Sequence, residues 1–244
     1  MFRAAGEAST IRRSAAFSLL GDLLMKRIVI PEFLDTDSGT PAEVAENLND
    51  LGKIHRWFGG ISTTQELVLR TVKRSGRNEV SLLDVASGSG ELPLAVRDRL
   101  KRRGIPLTVT LLDRAPSHLN GSASAVIGDA LATPFPHRAF DVVSSSLFVH
   151  HLEPPEIVRF ANECLRVCRI AVIINDLRRS WLQLAAVYAG FLLFRNRLTR
   201  HDGPASVRRA YTVSELRGIL EQSQAARIEI TTHYLFRVGA ILWK

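Results

Sequence analysis

Three acidic residues each close an apolar run: Asp84 in LLDVASGSGELPLAV (82–96), Asp113 in VTLLDRAPSHL and Asp129 in VIGDALATPFP. A Ser/Gly turn, Ser87-Gly88-Ser89-Gly90, follows the first and opens a helical pattern. Glycines let a backbone approach a ligand closely, and a helix N-terminus offers free N–H groups. A dinucleotide pyrophosphate would ask for G-x-G-x-x-G at this place. Pro93 stands where the third glycine should be, and Glu91 puts a negative charge where the pyrophosphate would lie. A ligand with an ammonium at one end and a nucleoside at the other fits better. The acid at the first strand end welcomes the ammonium, Asp113 can accept from both ribose hydroxyls, and Asp129 can receive the exocyclic amine of adenine. Further on, SSSLFVHHLEPPE supplies His150 and His151. An imidazole there could serve as a base for an acidic hydroxyl, with at most one of the adjacent pair expected to face the site.

Strands alternating with helices must carry these residues. EVSLLDVA (79–86), PLTVTLLD (106–113), SAVIGDA, AFDVVSSSLFV and RIAVIIND (169–176) read as strands. ARIEITTHYLFRVGAILW reads as two strands around His233–Tyr234. Most are continuous apolar runs, which marks strands buried on both faces of a mostly parallel sheet. Such sheets bind ligands at the carboxyl ends of their strands, where Asp84–Gly90, Asp113, Asp129, the segment after Ser144 and Asn175–Asp176 all fall. Helices are predicted over SGTPAEVAENLNDLGKIHRWF (with Ser38 or Thr40 as cap), STTQELVLRTVKRS, ELPLAVRDRLKRRG, PPEIVRFANECLRVC and TVSELRGILEQS, with one long helical stretch over about 178–200. The pairs Thr40/Glu43 and Thr212/Glu215 have capping-box spacing.

The chain has 244 residues, is 46% hydrophobic and 23% charged, and can bury a proper core. Its net charge of +8 raises the question of nucleic acid or anionic membrane. The basic residues come in small groups, however, such as RDRLKRR and RNRLTR. The most apolar stretch, WLQLAAVYAGFLLF (181–194), is too short to span a bilayer, so no stable membrane insertion is expected. Cys164 and Cys168, the only cysteines, are read as half-buried or core thiols of a reducing compartment, with a cytoplasmic location expected. No metal site is expected. Residues 1–24 are rich in Arg, Ser and Ala and read as a disordered leader or a misassigned start, with Met25 as a second start.

Taken together, LLDVASGSGELPLAV, VTLLDRAPSHL, VIGDALATPFPHRAFDVVSSSLFVHHL and CLRVCRIAVIINDLRRS resemble the successive motifs of class I S-adenosylmethionine-dependent methyltransferases. The small-molecule branch that includes quinone-ring methyltransferases is the nearest. The resemblance covers about residues 78–176, and more loosely the final strand pair. It implies an α/β, Rossmann-like, doubly wound fold with a seven-stranded, mostly parallel sheet whose last strand is antiparallel. It implies a helical lid over 25–77 and a methyltransferase domain over 78–244, with an inserted acceptor segment at 177–212. It implies S-adenosyl-L-methionine as cofactor, with Asp84, Ala86, Ser87, Gly88, Gly90, Asp113, Arg114, Asp129, Ala130 and Ser145 as its contacts. Ala86 departs from the family's first motif glycine, and a positive φ there would be strained.

The acceptor expected from this branch is a small, largely apolar phenol, quinol or polyketide-like compound, methylated on oxygen or carbon. His150 and His151 are the catalytic candidates. Arg56, Trp57, Trp181, Tyr188, Arg200 and His201 are the candidate acceptor contacts, with Phe191 and Phe194 as further wall residues. An RNA or protein methyltransferase and a non-catalytic cofactor-binding protein are the rival readings. Nucleic acid is the less expected partner, because the Asn/Asp-Pro-Pro-aromatic grip for a flipped base is replaced by SSSLFVHHL. Oligomeric state has no signal.

Overall fold

The computed structural model describes residues 25–36, 38–119 and 124–244. The leader expected over 1–24 lies outside the described residues. Seven strands form one sheet in the order β3-β2-β1-β4-β5-β7-β6. They are β1 (Val80–Val85), β2 (Leu107–Asp113), β3 (Ser124–Ile127), β4 (Phe140–Ser146), β5 (Cys168–Leu177), β6 (Arg227–His233) and β7 (Arg237–Trp243). The first five run parallel, and β7 is antiparallel to both β5 and β6. The seven-stranded sheet with its antiparallel last strand is as expected.

Among the described residues seven α-helices accompany the sheet: α1 (Pro41–Trp57), α2 (Gly60–Ser75), α3 (Glu91–Lys101), α4 (Pro154–Val167), α5 (Trp181–Ala189), α6 (Arg197–Arg209) and α7 (Val213–Leu220). Each strand feeds two cores because its side chains alternate between faces. Leu82, Val142 and Ile173 pack with Leu67, Val68 and Val72 of α2 and Val96 and Leu100 of α3. Leu83, Val143 and Ile174 pack with Ile157 and Phe160 of α4 and Leu216 and Leu220 of α7. Burying each of these large apolar side chains contributes about 1.5–3 kcal/mol, so the sheet's central strands hold the molecule together. Cys164 and Cys168 are both buried free thiols of the second core.

Thr40 and Glu43 make a full capping box for α1, and Thr212 and Glu215 make one for α7. The Gly59-Gly60 pair breaks α1 from α2 for steric reasons. Gly59 has φ 79°, and a Cβ at Gly60 would stand 2.5 Å from His55 Nδ1.

Two expectations are corrected. The lid expected over 25–77 divides: α2 is a core layer of the sheet, while the extended run from Met25, a short 3-10 turn (Phe33–Thr36) and α1 lie over the sheet's ligand edge. The single long helix over 178–200 is two helices. α5 stops at Gly190, a 3-10 turn follows, and Asn196 starts α6 by accepting from the N–H groups of Leu198 and Thr199. α6 runs through Gly203-Pro204, a pair that reads as a loop in sequence. Leu198 packs with Val44 and Leu48 of α1 and, on the opposite face, Val207 packs with Met25 and with Leu184 of α5, while a Cβ at Gly203 would stand 3.1 Å from Val187 of α5. Packing thus overrides the local preference of these residues.

Candidate active site

One cavity of about 1100 Å³ follows the carboxyl ends of the strands from β3 to β7. Its β1–β3 end is lined by Ala86, Ser87, Gly88, Asp113, Arg114, Asp129 and Ala130. The turn after β1 presents bare backbone there, since a Cβ on Gly88 would meet only Leu48 at 3.9 Å. Gly90 serves packing instead: its Cβ would stand 2.4 Å from Leu111. Ala86 has φ 55°, the left-handed conformation that its replacement of glycine made a concern.

Asp113 receives the Gly88 N–H at 2.8 Å and the Ala115 N–H at 3.0 Å. Burial opposes its ionisation, but His118 and these two N–H groups outweigh it and hold the carboxyl below its ordinary range. A carboxylate so fixed is an acceptor for paired hydroxyls. Asp129 caps the turn after β3 by accepting from the Leu131 N–H at 2.8 Å. Exposed backbone, a fixed carboxylate at the second strand end and an acidic residue at the third fit an adenosyl ligand with an amino-acid tail.

Asp84 and Ser145 are placed differently from the rest. Both are buried and neither lines the cavity. Asp84 accepts from the Ser144 hydroxyl inside the sheet. Burial pushes its carboxyl up to about 7, against the Ser144 bond and helped by the Asp113 charge.

Past β4, Val149–His151 form a 3-10 turn that brings both histidines to the cavity, with ring centroids 4.2 Å apart. The expectation that only one faces the site is therefore corrected. His150 Nδ1 lies 2.6 Å from Asp176 at the end of β5, and His151 Nδ1 lies 2.8 Å from Asp35. Burial alone would lower the His150 imidazole, but the Asp176 and Glu32 carboxylates push it up to about 10. Burial likewise opposes ionisation of Glu32, and the two histidines overcome it and keep its carboxyl below the ordinary range.

The β5–β7 end of the cavity is apolar, with Leu177, Ala186, Val187, Phe191, Phe194 and Phe236 in its wall. Of the expected wall aromatics, Phe191 and Phe194 are there. Trp57, Trp181 and Tyr188 are 53%, 56% and 46% exposed and outside the lining. Arg56 is ion-paired with Glu91, Arg200 lies over the Phe191 ring, and His201 stacks on Phe33 while holding Asp202. These three support the wall without lining it.

Sequence reasoning missed Glu32, Asp35 and Arg237, while Asp176 was placed at the ligand edge and Arg209 in a polar cluster after the apolar helix. Asp202 accepts from the N–H groups of Phe33 and Leu34 at 2.8 and 3.1 Å. Arg209 pairs with Asp35 at 2.9 Å, and Arg179 holds the Met25 carbonyl at 2.7 Å. These bonds strap residues 25–36 over the cavity and bring Glu32 to the histidines. Arg237 is buried in the wall; its Nε donates to the Phe58 carbonyl, and its two terminal nitrogens have no hydrogen-bond partner.

Comparison with known proteins agrees with this geometry. Residues 82–170 match the family described as "Methyltransferase domain". No curated protein matches the chain in sequence. Among solved structures, the plantazolicin methyltransferase BpumL in complex with SAH superposes with a TM-score of 0.64 at 15% identity, over 87% of this chain and 92% of that one. A SAM-dependent methyltransferase from Aquifex aeolicus gives 0.56 at 18% identity, over 84% and 98%. The CMeT domain of the citrinin polyketide synthase gives 0.54 at 13% identity, over 75% of this chain and 52% of that one. Residues 82–170 thus match a methyltransferase domain, and the chain has the fold of S-adenosylmethionine-dependent methyltransferases.

Proposed function

We propose that the protein methylates a small, largely apolar acceptor bearing an acidic hydroxyl or enol, such as a phenol, quinol or polyketide-like compound. The observation that carries this reading is the single cavity, with an adenosyl-type lining at one end, an apolar wall at the other and a histidine–carboxylate cluster between them. The cofactor supplies an electrophilic methyl group, and what remains for the protein is alignment and acceptor activation. His151 is suited to take the acceptor proton at Nε2, which faces the cavity while Nδ1 is engaged by Asp35 at 2.8 Å and Arg209 Nη1 at 3.3 Å. His150, paired with Asp176 beneath it, positions the turn. Phe191, Phe194 and Phe236 would hold the acceptor's apolar body, and Arg237 would offer its two terminal nitrogens to an anionic group bound beside it.

The structural relatives favour this class: BpumL was solved with desmethylPZN analogues, and the CMeT domain belongs to a polyketide synthase. Among the described residues no helix is long and apolar enough to cross a membrane. Two free buried thiols suit a reducing compartment, and we place the protein in the cytoplasm.

The test is incubation with methyl-labelled S-adenosylmethionine and a heat-treated cell extract, followed by separation of small molecules, RNA and protein. Label should enter the solvent-soluble fraction. His151→Gln should lower that incorporation by about 100-fold or more without weakening cofactor binding. Label confined to RNA or protein would overturn the acceptor class.

A further inference from the structure

His150 and His151 give up the same ring nitrogen, each to its own carboxylate. His150 Nδ1 is held by Asp176 at 2.6 Å and His151 Nδ1 by Asp35 at 2.8 Å. Both carboxylates are fixed in turn. Asp176 also receives the His150 backbone N–H at 3.0 Å, and Asp35 is paired with Arg209 at 2.9 Å. The two rings are thereby turned so that both Nε2 atoms approach one side chain, Glu32. His150 Nε2 lies 3.6 Å from Oε1 and His151 Nε2 lies 3.8 Å from Oε2. All three donor atoms lie within 4.8 Å of one another.

His150 Nε2 and Glu32 Oε1 are buried and make no hydrogen bond. Direct pairing would bring them to about 2.7–2.9 Å, and leaving both unpaired in the interior is costly. The spacing is too wide for a good hydrogen bond and close to that of two ligands of one ion. Bonds of about 2.0–2.2 Å at tetrahedral angles separate ligand atoms by roughly 3.4 Å, so each histidine stands within a few tenths of an ångström of the right distance from Glu32, in a set whose atoms all lie within 4.8 Å of one another.

We propose that Glu32, His150 and His151 bind a divalent transition-metal ion in the wall of the acceptor cavity. Two imidazoles and one carboxylate are a donor set of that class. Asp176 is hydrogen-bonded to His150 Nδ1 and Asp35 lies 2.8 Å from His151 Nδ1; such outer carboxylates orient a histidine with Nε2 toward the ion, which displaces any proton held there. Three protein ligands leave coordination positions open, and here those positions face the cavity, where a phenolic or enolic oxygen would occupy one. The ion site stands on the side-chain geometry alone; the use of its open position rests on the acceptor reading above.

The test uses the full chain, stripped with a chelator and dialysed. Mn²⁺ is titrated in and followed by loss of the free-ion paramagnetic resonance signal, and bound zinc is measured after equilibration with Zn²⁺. One ion per chain is expected. Glu32→Gln should weaken binding by at least tenfold and Asp176→Asn by about 10- to 100-fold. If Asp176→Asn fails to fold, His151→Gln, at a partly exposed position of the turn, takes its place with the same expected loss. No binding at millimolar metal, or binding undiminished in Glu32→Gln, would overturn the site. S-adenosylhomocysteine binding by calorimetry on the same samples separates the two readings. S-adenosylhomocysteine bound with no ion removes the metal and leaves His151 as the base, whereas an ion bound with no S-adenosylhomocysteine affinity removes the methyl-transfer reading of this cavity.

Discussion

Ala86 and Asp84 stand two residues apart, and each keeps a local cost, Asp84 within β1 and Ala86 in the turn that follows it. At φ 55° a non-glycine residue loses about 1–2 kcal/mol relative to the right-handed region. Ala86→Gly relieves this but gains about 0.4–1 kcal/mol of unfolded-state freedom. The expected net is a stabilisation of roughly 0.5–1 kcal/mol, read as a rise in melting temperature of about 1–4 °C. No rise would mean that neighbouring contacts hold the alanine in place. For Asp84 the carboxyl is pushed up to about 7 in the folded protein, against an ordinary value of 3.8. The folded state therefore holds the proton more tightly than the unfolded state, and this group's contribution to stability falls as pH rises from about 4 to 7 and is constant above that. Three pKa units correspond to about 4 kcal/mol at 1.36 kcal/mol each. Asp84→Asn should be more stable than the wild type at pH 8, with the difference shrinking toward pH 5, in urea titrations at the two values. An equal difference at both would show that Asp84 is not the titrating group. From the sequence both residues read as cofactor contacts. The strand register that turns Asp84 toward Ser144 is a property of the sheet that no single stretch displays.

At the scale of elements, strands were legible and the acceptor wall was not. β1, β2, β4 and β5 are apolar on both faces because helices cover both, and that leaves a continuous apolar run in the sequence. α5 and α6 leave no such mark. RHDGPASVRR is polar, and only three-dimensional packing shows that the helix is buried on two sides, Leu198 against α1 and Val207 against Met25 and α5. The polar face of α6 has a definite task, which is to hold the strap. Asp202→Ala removes both acceptors of the Phe33 and Leu34 N–H groups. Hydrogen exchange at those two amides should accelerate at least tenfold, turnover should fall with Glu32 and Asp35 displaced, and exchange in β1 and β4 should stay as it was. Acceleration throughout the sheet would instead make Asp202 a pillar of the whole fold.

At the scale of the molecule, the site is a meeting of distant segments. The proposed cofactor end comes from one contiguous part of the chain, 86–130, and its motifs could be read in order. The proposed catalytic cluster draws Glu32 and Asp35 from the strap, the histidines from the turn after β4, Asp176 from β5 and Arg209 from α6. The adjacent histidines and the strand end at Asp176 were visible in sequence, and the strap was not. Without Glu32 beside them the histidines gave no reason to expect a metal. The basic excess is likewise clearer in three dimensions. Arg197 pairs with Glu43, Arg209 with Asp35 and Arg70 with Glu229, so these cations are committed to internal partners.

The strap has one more consequence. Residues 25–36 add little to either sheet core, yet they carry Glu32 and Asp35. Segments of low local stability open far below the temperature at which a core melts. Warmed or exposed to mild denaturant, this protein should lose its activity while its sheet is still intact. Its working lifetime is therefore set by the release of twelve peripheral residues and not by the unfolding of the domain.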